Sequence, residues 1–328
     1  MSSEEQKEFF EKSADSKYAK KIGKYTRLKE SAIKFFFAVN GAMALIFIIL
    51  IFIFLFKEGF RALDHIGLLD FLYFDRVDAS GTVQKVFEWY PTSDEARYSL
   101  VPLLLGTLLT AIPATIISTL FGVGTGIYLS EVANPRFKEF LKPAIELFAG
   151  IPTVVLGFIM LAVGASFFND LLNPANRLNA FVASIGLSFV IIPIIASLTE
   201  DALHSIPNEL RMASYGLGAT KWQTISRVIL PAAFSGVSAS IILGFGRAIG
   251  ETMIVLMCAG NAANITADIF LSVRTMTATI AAEMGEVSQG SDHYYALFFI
   301  GIVLFTITFF LNLAAEIIIN KMRKKNTF

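Results

Sequence analysis

The sequence is poor in charged residues, in histidine and in cysteine. Charged residues make up 16% of its 328 positions, whereas hydrophobic residues make up 55%. A soluble domain is about a quarter charged and about half apolar, so one soluble core of this length could not bury the apolar surplus. The mean hydropathy of +0.62 therefore indicates a protein that has lipid as part of its solvent.

What is missing excludes several kinds of site. Cys258 is the single cysteine, which rules out an internal disulfide and a cysteine-rich metal site. The three histidines, His65, His204 and His293, belong to no metal-ligand spacing and are predicted to lie in loops. Because 27 basic residues balance 27 acidic ones, no overall basic field attracts nucleic acid. We expect neither a metal site nor a nucleic-acid partner.

Signals of catalysis are missing as well. No GxxxxGK[ST] pattern is present to hold nucleotide phosphates, so the chain cannot hydrolyse ATP by itself. Gly122, Gly124 and Gly126 lie in an apolar run without the Lys of such a loop, and they are predicted to serve helix packing. No Ser/His, paired-Asp or HExxH arrangement occurs in the apolar runs. We predict a non-catalytic chain with no catalytic residues and no cofactor of its own.

Long apolar runs are what the sequence has in abundance. About 20 apolar residues cross a bilayer core as a helix. Six runs reach that length, at residues 35–56, 101–129, 143–166, 179–198, 236–260 and 294–320. We therefore predict an all-α polytopic membrane protein with six transmembrane helices.

The polar segments between these runs predict the orientation in the membrane. Residues 1–34 form a charged tail that does not suit a cleavable signal, so the first run should remain as an anchor. Most Lys and Arg residues lie on the side that holds this tail, which predicts both termini in the cytoplasm. Residues 57–100 then form an external loop, which is predicted to be solvated, with a docking surface for an external partner as the alternative. Residues 35–328 form one transmembrane domain.

The predicted cytoplasmic loop at residues 199–235 is well supplied with helix start and stop signals. Ser205 is predicted to cap a helix that begins near Pro207, and Gly218 is predicted to end it. Thr220 opens the T-x-x-Q spacing of a capping box, which starts a second short helix. An ordered elbow of this kind is either a compact linker or an element that transmits force from a partner.

Two charged residues lie near the middle of the fifth run. An ionisable side chain at bilayer mid-depth costs about 2.5–3.5 kcal/mol, so Arg247 should face protein or water and have a partner. Glu251 follows four residues later and is predicted to share its helix face, together with Ser240 and Gly244. Such a small, polar face is either pore-lining or closely packed. The two charges are either a structural ion pair or a guanidinium that Glu251 holds for a tetrahedral oxyanion.

Residues 269–290, before the last run, are semi-apolar and contain several threonines. They are predicted to form an ordinary interfacial segment. The alternative is a short external-side helix whose hydroxyls line the mouth of a channel.

The elbow carries a family resemblance. Its run from Arg211 to Pro231, RMASYGLGATKWQTISRVILP, resembles the EAA loop of ABC importer permeases, although Met212 stands where that pattern has Glu. The resemblance implies that the segment from Met212 to Gly218 lies in a cleft on a nucleotide-binding subunit. The residues it assigns to this coupling role are Arg211, Met212, Ala213, Ser214, Gly218, Ala219, Leu230 and Pro231.

A second resemblance lies in the fifth run. The segment GFGRAIGETMIVLMCAGN, from Gly244 to Asn261, closely resembles the fifth-span signature of phosphate importer permeases of the PstC type. This implies the fold of a type I ABC importer permease that forms half of a pathway for inorganic phosphate. It implicates Arg247 and Glu251 in the passage of phosphate. We predict that Ser240 and Gly244, from the same helix face, and Thr252, next to Glu251, belong to the pathway as well.

The same resemblance implies the partners and the location. A homologous PstA-like permease subunit would complete the pathway, two PstB-like ATPase subunits would hold ATP and Mg²⁺, and an external PstS-like protein would deliver phosphate. The complex would lie in the bacterial plasma membrane. Two alternatives stay open at this point: a permease for another oxyanion such as sulfate or molybdate, and a stand-alone secondary transporter or channel.

Overall fold

The computed structural model of the protein describes residues 17–77 and 83–325. Helices dominate because the long apolar runs can satisfy their backbone polar groups internally only as helices. The α-helices are α1 Lys17–His65, α2 Val101–Ile127, α3 Pro135–Ala149, α4 Thr153–Ile159, α5 Ala165–Leu172, α6 Ala180–His204, α7 Asn208–Gly216, α8 Lys221–Thr224, α9 Leu230–Ala232, α10 Phe234–Gly250, α11 Met253–Cys258, α12 Met276–Glu283 and α13 Asp292–Lys325. π-Helical turns at Tyr128–Val132, Met160–Gly164 and Ile225–Ile229 follow α2, α4 and α8.

Two small antiparallel hairpins lie in the predicted external loop. Strands β1 (Phe74–Val77) and β2 (Val83–Val86) form the first hairpin, and β3 (Trp89–Tyr90) and β4 (Arg97–Tyr98) form the second. The prediction that residues 57–100 are all loop is wrong at its start, because α1 continues to His65. Residues 78–82 of this loop, residues 1–16 of the charged tail and residues 326–328 lie outside the described residues.

Helices long and apolar enough to cross a membrane confirm the predicted polytopic fold. Five single spans are found in the described chain, at Lys29–His65, Val101–Val132, Thr153–Leu172, Ala180–His204 and Asp292–Ile317. The described chain has six if the pair Lys221–Ala232 and Phe234–Gly250, which bends by 70°, is counted as one broken span. The predicted third run began too early, because residues 143–149 belong to α3 and a break before Pro152 separates them from the span.

The chain divides into two compact units, Met1–Lys57 and Glu58–Phe328. In the first unit, the described part of α1 exposes large apolar side chains from Phe35 to Phe54. A helix with apolar residues on all sides is expected when lipid surrounds it.

In the second unit, α2 and α6 approach each other closely. A Cβ atom added to Gly122 would lie 2.8 Å from the Cβ of Ile195, and one added to Gly126 would lie 2.7 Å from the Cβ of Thr199. These distances are too short for real side chains, so both glycines serve helix packing, as predicted. Gly124 differs, because a Cβ there would meet nothing within 4 Å.

The elbow has the predicted two helices and sharp turn. Gly218 has a φ of +83°, which ends α7, and both halves of the capping box between Thr220 and Gln223 are present at α8. The predicted cap at Ser205 is wrong. Its hydroxyl donates back to the Ala202 carbonyl at 2.7 Å, so it closes α6 and leaves the start of α7 without a side-chain cap.

Candidate functional site

The fifth apolar run is broken at its charged pair. The prediction of one continuous helix over 236–260 is wrong, since α10 ends at Gly250 and Glu251 is extended. One carboxylate oxygen of Glu251 accepts the backbone N–H groups of Thr252 at 3.1 Å and Met253 at 3.2 Å, which lie at the start of α11. The hydroxyl of Thr277 donates to the Glu251 carbonyl at 2.7 Å. The break is therefore stabilised by contacts that a continuous helix could not make.

Arg247 and Glu251 form a loose pair with unequal burial. The Nη2 atom of Arg247 lies 3.5 Å from Oε2 of Glu251, longer than the roughly 2.7–2.9 Å of a charge-assisted hydrogen bond. The Arg247 side chain is 49% exposed in this chain, whereas that of Glu251 is 4% exposed. The carboxylate is buried and fixed by backbone amides, and the guanidinium keeps most of its donors for another group.

The other predicted pathway residues fall into two places. Thr252 lies at the break beside Glu251. Ser240 is buried, with its hydroxyl 3.0 Å from that of Thr199, and a Cβ on Gly244 would lie 2.9 Å from Ile195 on α6. The structure thus brings Arg247, Glu251 and Thr252 together. It places Ser240 and Gly244 in the contact with α6, which is the closely packed alternative for that face.

The elbow presents an apolar outer surface. Met212, Leu217 and Trp222 are exposed, with Leu217 at 90%. Ser214 points inward, and its hydroxyl lies 2.9 Å from that of Thr224, which joins α7 to α8.

The remaining residues predicted for the coupling role divide in the same way. Ala213, Gly218 and Pro231 are exposed, and Ala219 and Leu230 are partly buried. Arg211 is turned toward the interior of the chain.

A buried carboxylate near the end of α6 was not found from sequence. Glu200 accepts from Lys138 and Lys142 of α3, each at 2.5 Å, and Lys142 also reaches Asp201 at 2.9 Å. The hydrogen bonds to Glu200 and then to Asp201 raise the pKa of Lys142 above its ordinary value. These contacts anchor α3, an amphipathic helix, to the end of α6. The adjacent acidic pair at 200–201 was the only local signal.

A second cluster missed by sequence reasoning lies near the start of α13. Glu283 accepts from the indole of Trp89 at 3.1 Å and from Arg274 at 2.5 Å, and it lies 2.9 Å from Nε2 of His293. The cluster borders a cavity of about 600 Å³. Residues 269–290 therefore contain a helix, α12, within an ordered site.

Two further predictions are wrong, one about the threonines of this region and one about the three histidines. Thr275, Thr277 and Thr279 are buried, so their hydroxyls do not line an opening in this chain. The three histidines lie at helix ends and not in loops, because α1 and α6 end at His65 and His204 and α13 begins one residue before His293.

Comparisons with known proteins place these features in context. Residues 122–324 match the family described as "Binding-protein-dependent transport system inner membrane component". The probable ABC transporter permease protein YqgH of Bacillus subtilis is 33% identical over 67% of this chain and 72% of its own length. The phosphate transport system permease protein PstC of Xylella fastidiosa is 30% identical over 73% of this chain and 78% of its own length.

A solved structure shows the same fold. The inward-facing MetNI methionine ABC transporter matches with a TM-score of 0.55 and 20% identity, over 68% of this chain and 95% of the matched chain. The fold is that of a type I ABC importer permease.

Proposed function

Because this chain belongs to the family of binding-protein-dependent transport system inner membrane components, we propose that it is a permease subunit of an ATP-driven importer of inorganic phosphate. The similarity to PstC proteins and the run from Gly244 to Asn261 support phosphate as the substrate. The observation that carries the proposal is the half-exposed guanidinium of Arg247 beside a buried carboxylate.

Arg247 would bind the passing oxyanion. Its guanidinium is permanently charged and offers a planar fork of donors that matches two oxygens of a phosphate group. Glu251 cannot leave the site easily, since two backbone amides hold its other oxygen. Its negative charge then weakens the binding of the anion, which suits a site that must release what it binds.

The other subunits supply what this chain lacks. A homologous PstA-like permease subunit would form the other half of the pathway, and two PstB-like ATPase subunits would hold ATP and Mg²⁺. The exposed apolar surface of the elbow at Met212, Leu217 and Trp222 suits contact with an ATPase subunit. A PstS-like protein would deliver phosphate to the opposite side.

We infer an orientation for the complex as well. The elbow and both termini would lie in the cytoplasm, and the two hairpins would lie outside the bacterial plasma membrane, as the distribution of Lys and Arg predicts. ATP binding would then shift the complex between states that expose Arg247 to one side or the other.

The test is phosphate uptake by the complete complex in liposomes. Arg247→Gln removes the charge and keeps the length of the side chain. A hydrogen bond to a charged group is worth about 1.5–3 kcal/mol, so uptake should fall by about 10- to 150-fold. Arg177→Gln is the matched control, because Arg177 is an exposed arginine that donates to Leu161 and Ser166. Wild-type uptake in Arg247→Gln would refute the role of Arg247.

Two further measurements separate the alternatives. A stable complex with ATPase subunits supports an ABC permease, whereas uptake by the purified chain alone would support a stand-alone transporter. Competition of labelled phosphate uptake by sulfate and molybdate tests the choice of oxyanion.

A further inference from the structure

The guanidinium of Arg211 does not face the exposed surface of the elbow. It is 15% exposed and binds Glu131, which is 6% exposed, through two contacts. Its Nη2 donates to Oε1 of Glu131 at 2.6 Å, and its Nε donates to Oε2 at 3.3 Å. This two-pronged geometry fixes the orientation of both side chains.

The same guanidinium also binds the end of α6. Its Nη2 donates to the Leu203 carbonyl at 2.9 Å, and its Nη1 donates to the Ile206 carbonyl at 2.6 Å. The Leu203 carbonyl, in the last turn of α6, also accepts the backbone N–H of Ile206 at 3.2 Å, and Ile206 lies two residues past the end of α6, so Arg211 adds to the contacts that fix this helix end. One side chain of α7 therefore contacts both the π-helical turn that ends the second span and the end of the fourth span.

The two spans that Arg211 reaches already behave as one packed unit. The close approach at Gly122 and Gly126 is one reason. Two buried hydroxyls also cross the contact, from Ser118 to the Ser188 carbonyl at 3.2 Å and from Ser184 to the Thr110 carbonyl at 3.0 Å. Arg211 therefore joins α7 to two spans that are packed closely against each other.

The geometry points to a clamp, formed by Arg211, Glu131 and the carbonyls of Leu203 and Ile206, that transmits movement of the elbow to the α2–α6 pair. Arg211 is then a positioning residue and not a contact residue for the ATPase, whereas the neighbouring Met212 is exposed for that contact. This inference rests on the proposed function, because it needs a partner that moves the elbow.

The test measures coupling in the complete complex in liposomes. Glu131→Gln removes the charge with little change of shape, and Arg211→Lys keeps the charge but loses the fork. In each variant the ATPase subunits should stay bound and hydrolyse ATP. The number of phosphate ions imported per ATP should fall by about 5- to 150-fold, the usual range of coupling between sites.

Matched controls change the same residue types at exposed positions. Arg136→Lys and Glu139→Gln both lie on α3, outside the elbow, and both should keep the wild-type ratio. A wild-type ratio in both Glu131→Gln and Arg211→Lys would overturn the clamp. Loss of the ATPase subunits from both variants would overturn it too, since it would place Arg211 in docking.

The two proposals fail in different ways. If the wild-type complex hydrolyses ATP but imports another oxyanion in place of phosphate, the proposed substrate is wrong, and the same ratio measured with that anion still tests the clamp. If the wild type imports phosphate and the clamp variants do so with an unchanged ratio, only the clamp is wrong.

Discussion

Two Arg–Glu ion pairs in this chain consist of the same chemical groups but differ in geometry and in role. The pair of Arg211 and Glu131 is buried and closed, and its guanidinium donates four hydrogen bonds. The pair of Arg247 and Glu251 is open, with a single 3.5 Å approach and a half-exposed arginine. A guanidinium that gives four of its five N–H groups to its own chain holds protein elements together, whereas one that keeps most of its N–H groups can also bind a ligand. Residue type does not decide which role an ion pair has; the number of remaining donors does.

The largest expected effect is the difference in stability loss when each arginine is replaced. Arg211→Met removes the charged partner of buried Glu131, which keeps only the Ser130 hydroxyl at 3.2 Å among the donors described, and breaking a buried pair costs about 3–5 kcal/mol. Arg247→Met should cost less than about 1 kcal/mol, because the arginine is half exposed and Glu251 keeps its two amide donors. Thermal unfolding of the detergent-solubilised complex measures both. Equal losses of stability would contradict the distinction between a closed and an open pair.

The sequence carries the signals for some of these features and not for others. The spans, the capping box at Thr220 and the turn at Gly218 were predictable, because each depends on residues within a few positions of one another. The ion pair between Glu131 and Arg211 was not, since 80 positions separate its members. Nothing in either local pattern indicates the other.

The break at Glu251 could not be predicted from its local sequence either. A four-residue spacing favours one helix face, and glutamate is a good helix former, so the local pattern predicted a continuous helix. The contact that favours the break comes from Thr277, 26 positions away. Propensity is a weak prior that tertiary contacts override.

The glycines between α2 and α6 test whether the clamp depends on the close packing of these two helices. Gly126→Ala would place a Cβ 2.7 Å from the Cβ of Thr199, and overpacking of this kind costs about 1–3 kcal/mol. The two helices should separate, so both thermal stability and phosphate imported per ATP should fall. Gly124→Ala is the matched control two positions away, with nothing within 4 Å, and should be neutral or slightly stabilising. An effect of Gly124→Ala as large as that of Gly126→Ala would show that helix propensity, and not packing, decides the outcome.

The smallest expected effect comes from Thr277, whose hydroxyl contacts the backbone beside the open pair of Arg247 and Glu251. Thr277→Val keeps the shape of the side chain and removes the hydroxyl that donates to the Glu251 carbonyl, a hydrogen bond worth about 0.5–1.5 kcal/mol. The same hydroxyl lies 3.2 Å from that of Thr275, so this second contact is lost as well. Since the contact with the Glu251 carbonyl helps to hold the break, Glu251 should become less fixed and the KM for phosphate should change more than the unfolding temperature. Thr306→Val is the control, because the exposed hydroxyl of Thr306 bonds only to its own helix at the Ile302 carbonyl. If both variants shift the unfolding temperature alike and leave the KM unchanged, the geometry of the open pair does not depend on the Thr277 contact, and the fixed position of Glu251 must come from the two backbone amides of α11 alone.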